Sequence, residues 1–188
     1  MTPMTKQTTK RTTEGTTKVT TATTGGTSVW TVVASPVDDL RVVARDGAVT
    51  AIEFSPFPPP AVGEAAGTRS DDDPLLREAA AQLTAYFARE LTEFDLPLAP
   101  RGSAFQQLVW EQLRGIGYGE TASYGQIAAR LGRTNAASRA VGLANGRNPI
   151  PIVVPCHRVI GADGTLTGYA GGLPRKQLLL ELEQEALF

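Results

Sequence analysis

Residues 121–145 have the sequence TASYGQIAARLGRTNAASRAVGLAN, and this stretch decides the fold predicted for the second half of the chain. It predicts a short helix over 121–131, a break at Gly132-Arg133-Thr134, and a second short helix that Asn135 caps and that runs from Ala136 to about Asn145. Two short helices joined by a glycine-containing turn are typical of a helix-turn-helix.

The second helix of this pair has few side chains that could identify a DNA base. Around Arg139 it offers alanine, serine and glycine, whereas a helix that reads the major groove presents Arg, Asn or Gln to the base edges. Small residues instead allow a close approach to the wall of a groove, with Arg139 inserted as a single prong. The pattern predicts sequence-independent binding in the minor groove. The alternative is a pair of core helices packed closely through small residues.

Amphipathic helices are predicted on both sides of this motif. Ser103 caps the first, which ends at the glycine-rich turn 115–119, and the second runs from Lys176 to Leu187. The apolar face of the first consists of Phe105, Leu108, Val109 and Leu113. The second half of the chain is therefore predicted to be mainly helical and winged-helix-like.

The first half alternates between short apolar runs and turns. Asp38-Asp39 and Asp46-Gly47 supply turns between strands, and Asp73-Pro74 begins a helix that runs to about Leu91. Three strands are predicted, at 29–34, 40–44 and 49–54. The fold class is therefore α/β (α+β), with an antiparallel sheet and its helix followed by the helical domain.

Composition divides the chain into segments. Residues 1–27 are nearly half threonine and are predicted to be a disordered tail, because they cannot bury enough surface to fold. An N-terminal α/β domain is expected over 28–97, with a long proline-rich loop at 55–73. A second domain, which carries the predicted helix-turn-helix, is expected over 101–188.

The charge of the chain is unevenly distributed. Its formal net charge is −1, yet residues 114–158 carry six arginines, no lysine and a single acid, Glu120. This cluster favours contact with phosphate, and a solvated surface is the alternative. The sequence has no apolar run of about 18 residues and no apolar signal core, so neither a membrane span nor secretion is predicted. A cytoplasmic location, in the bacterial cytoplasm or nucleoid, is expected.

The chain contains one cysteine and one histidine, adjacent to each other in Val154-Pro155-Cys156-His157-Arg158-Val159. A lone thiol cannot form an internal disulfide or a multi-cysteine metal site, but it can act as a nucleophile. His157 offers a base, and Arg158 offers the kind of fixed positive charge that lowers a thiol pKa. The alternative is that Cys156 fills the core at the end of a buried strand predicted over 150–154.

From about Arg101 to Glu183, the sequence resembles the O6-alkylguanine-DNA alkyltransferases, repair proteins that move an alkyl group from DNA to one of their own cysteines. The resemblance rests on six blocks: Phe105–Trp110, Tyr118–Tyr124, Arg139–Gly142, Asn145–Ile150, Pro155–Gly161 and Leu166–Gly172. Residues 28–95 agree only in outline with the N-terminal domain of that family, which has a ribonuclease-H-like shape.

The resemblance implies single-turnover, direct-reversal repair. Cys156 would attack the alkyl carbon on O6 of a flipped guanine in duplex DNA, with O4-alkylthymine as a further candidate substrate. His157 would act as the base through a bridging water, Glu183 would hold the imidazole, and Asn148 would brace the turn and the water network. No metal and no cofactor is implied. The partner would be double-stranded DNA, bound by a monomer, with cooperativity on DNA left open.

The resemblance also assigns the remaining site residues. Those of the substrate pocket are Tyr124, Val159, Leu166, Tyr169 and Ala170. Those of the DNA-binding surface are Arg139, Tyr124, Ser123, Ala137, Arg133 and Arg147. Within these sets, Arg139 would replace the flipped base and Tyr124 would contact the phosphate of the flipped nucleotide.

Some features depart from the family pattern. The stretch 132–139 is one residue longer, Ala170 replaces a small hydroxyl residue of the pocket lid, and the zinc-binding cysteines of some members are absent. Other functions considered are a cysteine hydrolase, an alkyltransferase-like lesion sensor and a regulator that also repairs DNA. The arginine-rich helix pair argues against a hydrolase, and the presence of Cys156 argues against a lesion sensor. The lack of an additional regulatory domain argues against a regulator.

Overall fold

The computed structural model describes residues 26–60 and 66–185. The predicted disordered tail, except for its last two positions, lies outside the described residues. So do residues 61–65 of the predicted proline-rich loop and the end of the predicted C-terminal helix. None of the helices within the two described ranges has the length and apolar character needed to cross a membrane.

The first half forms a four-stranded sheet. Strands β1 (Val29–Val33), β2 (Leu40–Arg45) and β3 (Ala48–Phe54) make the predicted antiparallel meander. A short fourth strand, β4 (Thr68–Arg69), pairs in parallel with β1, so the strand order is β3-β2-β1-β4. This strand lies within the predicted loop 55–73, and the sequence does not reveal it because two residues are too few to show an alternating pattern.

Helix α1 (Pro74–Phe87) covers β1 and β2. It begins where predicted, since the Asp73 carboxylate accepts hydrogen bonds from the backbone N–H groups of Leu75 and Leu76 at 3.0 and 3.1 Å. The predicted end at Leu91 is wrong by four residues. Arg89 adopts a left-handed conformation, with φ of 64°, and turns the chain out of the helical path.

The predicted helix pair is present with shifted bounds. Helix α3 (Tyr124–Arg130) begins later than expected, because Ala122–Ser123 form a strand, β5, that pairs in parallel with β6 (Val159–Ile160). Helix α4 (Ser138–Gly146) follows a single 3-10 turn at Asn135–Ala137. The predicted cap at Asn135 is wrong, since its Oδ1 atom accepts a hydrogen bond from the Ser138 hydroxyl (2.7 Å) instead of a backbone N–H.

Helix α2 (Ala104–Arg114) is capped by Ser103 as predicted, but its buried face differs from the prediction. Leu108 is 56 % exposed, and Trp110 is buried in its place. The cause is the contact with α4, where the Trp110 indole N–H donates to the Ala144 carbonyl (2.9 Å). The last helix, α5, spans Leu173–Glu185.

Residues 150–154 form a buried turn and not the predicted strand. The Val154 N–H donates to the Ile150 carbonyl (2.9 Å), and Ile152 has a φ of 75°, which β-branched residues rarely adopt. The apolar run therefore reflects burial of a turn. This turn leads through Pro155 into a 3-10 turn, Cys156–Arg158.

One continuous hydrophobic core joins the two halves of the molecule. The backbone also connects them, because the Ile52 N–H of β3 donates to the Pro149 carbonyl (2.9 Å). The sheet is thereby fixed directly against the turn that precedes Cys156.

Candidate active site

Two asparagine side chains hold the backbone around Cys156. The Asn148 amide donates to the Val154 carbonyl (2.7 Å) and accepts from the Ile150 N–H (3.0 Å), so it closes the buried turn. The Asn145 amide, near the end of α4, donates to the carbonyl of Cys156 itself (3.3 Å). This hydrogen bond fixes helix α4 to the 3-10 turn Cys156–Arg158.

The Cys156 thiol is almost inaccessible, with 3 % of the residue exposed. Burial raises the pKa of the thiol to about 11, although the Asn148 side chain, the Lys176 charge and the Tyr169 hydroxyl act in the opposite direction. The expectation that Arg158 supplies the charge that lowers the thiol pKa is wrong. The nearby cation is Lys176, and Arg158 is engaged elsewhere.

Glu183 is the centre of a buried network. Its carboxylate accepts hydrogen bonds from the Tyr86 hydroxyl (2.7 Å), from the Gly119 N–H (3.2 Å) and from the guanidinium of Arg158 (2.9 Å). Burial raises the pKa of Glu183, but the hydrogen bonds from His157 and Arg158, together with the charge of Arg158, outweigh burial and bring it down to about 2. The carboxylate is therefore ionised, and Arg158 neutralises it.

His157 is fully buried and is held by this carboxylate. Its Nε2 lies 2.8 Å from Glu183 Oε1, and since a carboxylate only accepts, Nε2 carries the hydrogen. Nδ1 then presents a lone pair, and it has no hydrogen-bond partner among the described residues. Burial lowers the pKa of His157 despite the opposing influence of Glu183, so the ring is neutral at physiological pH. A neutral imidazole with a free lone pair is a proton acceptor.

Lys176 is fully buried beneath the reactive segment. Its ammonium donates to the carbonyls of Val159 (2.6 Å) and Thr167 (2.9 Å), which ties β6 to the loop that follows it. Burial lowers the pKa of Lys176, and the charge of Cys156 opposes that change. The group is therefore placed to stabilise a thiolate at Cys156.

The loop 166–172 forms a wall beside the thiol. The Tyr169 hydroxyl makes no hydrogen bond of ordinary geometry within the described residues, yet it is close enough to the Cys156 thiol for each group to shift the pKa of the other. Its ring packs edge-on against Phe54 of β3, with the ring centroids 6.1 Å apart. The Thr167 hydroxyl donates to the Tyr124 hydroxyl (3.1 Å). The loop is thus in contact with both the sheet and α3.

The structure brings some sequence-predicted residues together and leaves others apart. Cys156, His157, Asn148 and Glu183 converge, with Val159 buried beside them. Of the other predicted pocket residues, Leu166 is half-buried and Ala170 is exposed. Of the predicted DNA-binding residues, Arg133, Arg139 and Arg147 are exposed, whereas Ala137 is half-buried and Ser123 is engaged as the cap of α3.

Sequence reasoning missed the roles of several residues. Lys176, Tyr86 and Asn145 looked like ordinary helix positions, and Arg158 was assigned to the wrong partner. Lys176 is a charged residue among the buried positions of α5, and the hydrophobic periodicity of the helix does not reveal that it is buried. In the described part of the chain, no group of three or more His, Cys, Asp or Glu side chains is arranged to hold a metal ion.

Comparisons with known proteins point to one family. Residues 28–100 match the family described as "6-O-methylguanine DNA methyltransferase, ribonuclease-like domain", and residues 104–185 match its "DNA binding domain". A methylated-DNA–protein-cysteine methyltransferase of Mycolicibacterium paratuberculosis is 52 % identical over 157 residues, which cover 82 % of this chain and 92 % of that protein. A protein of the same name from Methanosarcina acetivorans is 60 % identical over 113 residues, which cover 60 % of this chain and 72 % of that protein.

Solved structures agree with these matches. The crystal structure of Mycobacterium tuberculosis O6-methylguanine methyltransferase superposes with a TM-score of 0.76 at 48 % identity and covers 85 % of this chain and 94 % of its own. A crystal structure of Mycobacterium tuberculosis OGT in complex with DNA gives a TM-score of 0.74 at 49 % identity, with coverage of 84 % and 94 %.

Proposed function

The chain belongs to the 6-O-methylguanine DNA methyltransferase family, and from that premise we propose that Cys156 takes up the alkyl group in its direct-reversal repair of DNA. The bond between the alkyl carbon and O6 of guanine breaks, and a thioether forms at Cys156 Sγ. The proton that leaves the thiol balances the proton that the released guanine regains. The observation that carries this assignment is the position of the sole cysteine beside a neutral, carboxylate-held imidazole.

His157 serves as the base in this proposal. Its Nδ1 lone pair is buried and unpartnered, and Nε2 is fixed by Glu183. A water that donates to Nδ1 and accepts from the thiol would carry the proton, because backbone neighbours do not present their side chains to each other directly. Glu183 then stabilises the imidazolium that forms. Lys176 stabilises the thiolate, since it is the cation whose charge acts on Cys156.

DNA binding is assigned to the surface around α4. Arg133, Arg139 and Arg147 are exposed there, and Arg139 would enter the minor groove and fill the gap left by the flipped base. Tyr124 would contact the phosphate of the flipped nucleotide, and Ser123 and Ala137 would belong to the DNA-binding surface. Val159, Leu166, Tyr169 and Ala170 would surround the guanine.

The proposal extends to organisation and location. A boundary between 97 and 101 separates a supporting N-terminal domain from the reactive one, and the protein acts on DNA in the cytoplasm. The hydrolase, sensor and regulator functions are not favoured, because the relatives that match most of the chain are named as methyltransferases.

The decisive test of the function is intact-mass analysis after incubation with duplex DNA that contains a single O6-methylguanine. We expect a gain of one methyl group per protein, located by peptide mapping on Cys156, with no second addition at longer times. A protein that binds the lesion without gaining mass would be a sensor instead. A methyl group on any other residue would overturn the assignment of Cys156.

The proposed base makes a further prediction about pH. Because the pKa of Cys156 is raised to about 11 by burial and that of His157 is lowered by burial, the resting pair is a neutral thiol and a neutral imidazole. The single-turnover rate constant at saturating DNA is therefore expected to change by less than about twofold between about pH 7 and pH 9. Rapid-quench measurements would check this. An unassisted thiol would instead accelerate by about tenfold per pH unit over that range.

A further inference from the structure

The exposed face of α4 carries one large apolar side chain. Positions 141, 144 and 145 of the helix are buried, and positions 139, 140, 143 and 146 are exposed. Leu143 is 62 % exposed, more than any other large hydrophobic residue in the described ranges. Because Ala140 and Gly146 beside it are small, Leu143 protrudes from this face of the helix.

The charges around Leu143 indicate what could cover it. Arg139 lies one helical turn earlier on the same side, so the two Cβ atoms are about 6 Å apart. Arg133 and Arg147 are also exposed, and no acidic residue occurs between positions 121 and 162. An apolar side chain among arginines and small residues is complementary to a polyanion that also has apolar surfaces, which describes the sugar-lined groove of DNA.

We propose that Leu143 enters the minor groove of bound duplex DNA as an apolar wedge, one helical turn away from Arg139. The inference rests on the proposed function and adds a second inserted side chain to it. A minor groove is about 6 Å wide, so a leucine that enters it must open the groove. Apolar wedges of this kind bend the duplex toward the major groove.

The spacing between the two side chains places the leucine away from the lesion. Arg139 and Leu143 are about 6 Å apart along the helix, whereas successive base pairs are about 3.4 Å apart along the DNA. Leu143 would therefore contact a neighbouring base-pair step while Arg139 occupies the damaged one. The wedge would therefore contribute to affinity for damaged and undamaged duplexes alike, and it would contribute nothing to the reaction with a free base.

The experiment compares Leu143→Ala with Leu108→Ala, which removes a leucine of similar exposure from α2. For Leu143→Ala we expect about tenfold weaker binding to duplexes with and without O6-methylguanine, and a smaller bend by energy transfer between dyes at the duplex ends. Transfer from the free base O6-benzylguanine should keep its rate. Leu108→Ala should match the wild type in all three measurements, and melting temperatures confirm that both variants fold.

Unchanged duplex affinity in Leu143→Ala would overturn the wedge, and so would an equal loss of affinity in Leu108→Ala. Loss of self-association with unchanged DNA affinity would also overturn it and would assign Leu143 to contact with a second copy of the chain. Failure of the proposed function would appear differently, as a wild-type protein that gains no methyl group on Cys156. The binding assay requires no transfer and is independent of that result.

Discussion

Cys156→Ser is expected to abolish alkyl transfer while DNA binding remains within about threefold of the wild type. The substitution keeps nearly the same shape in a site where only 3 % of the residue is exposed, but it replaces a thiol by a far weaker acid. Removal of a nucleophile from an assembled site typically costs on the order of 10⁴-fold or more in rate. Gel-based transfer from a methyl-labelled duplex measures the rate, and fluorescence anisotropy measures the binding.

A second variant keeps this prediction independent of packing. Cys156→Ala removes the buried polar atom altogether, and it should fail to react in the same way. Measurable transfer in either variant would contradict the mechanism. Loss of binding together with loss of transfer in both would indicate that the substitutions disturb the fold around α4.

Glu183→Gln is expected to lower the free energy of unfolding by about 3–5 kcal/mol, because it leaves the buried guanidinium of Arg158 without a counter-charge. Transfer by the remaining folded protein should also slow, since His157 loses the carboxylate that stabilises its protonated form. Urea unfolding measures the first effect, and single-turnover kinetics at low temperature measure the second. The matched control is Glu181→Gln on the same helix, an exposed residue whose substitution should cost less than about 0.5 kcal/mol.

The same carboxylate makes the stability depend on pH. Its pKa is about 2 in the folded protein and 4.5 as an ordinary carboxyl, so the stability that it contributes is present above about pH 4.5 and is lost as the pH falls towards 2. His157, whose pKa is lowered from 6.5 in the fold, contributes a loss in the same direction that begins below pH 6.5. If the Glu183→Gln protein had wild-type stability and lost stability at low pH in the same way as the wild type, the network would be unimportant to the fold.

The elements that the sequence predicted correctly are those with strong local signals. Asp73 and Ser103 mark helix starts because their side chains can satisfy free backbone N–H groups, and the alternation over 29–54 follows from a sheet with one buried face. The predictions were wrong where complete burial of a segment leaves no alternation between polar and apolar residues. Ile150–Val154 is apolar because it is a turn enclosed by the core, and a uniform apolar run has no feature that distinguishes it from a buried strand.

The candidate site was predictable only in part, for a related reason. Cys156 and His157 stand out because each is unique in the chain, and Glu183 and Asn148 came from the family resemblance. The partners of Glu183 could not be deduced in this way. Tyr86 is 97 positions away from it and occupies the apolar face of α1, where its ring packs in the core while its hydroxyl reaches the carboxylate. Contacts of such long range depend on tertiary packing and leave no local trace.

The burial of Cys156 bears on how the protein survives in a cell that contains peroxides and small electrophiles. These reagents attack the thiolate, and they do so in proportion to its population and its exposure. Cys156 is 3 % exposed and its pKa is raised to about 11, so both the thiolate population and the accessibility of the sulfur are very low. Because each molecule reacts only once, this burial prevents inactivation by other electrophiles and leaves the thiol available for a base that enters the pocket.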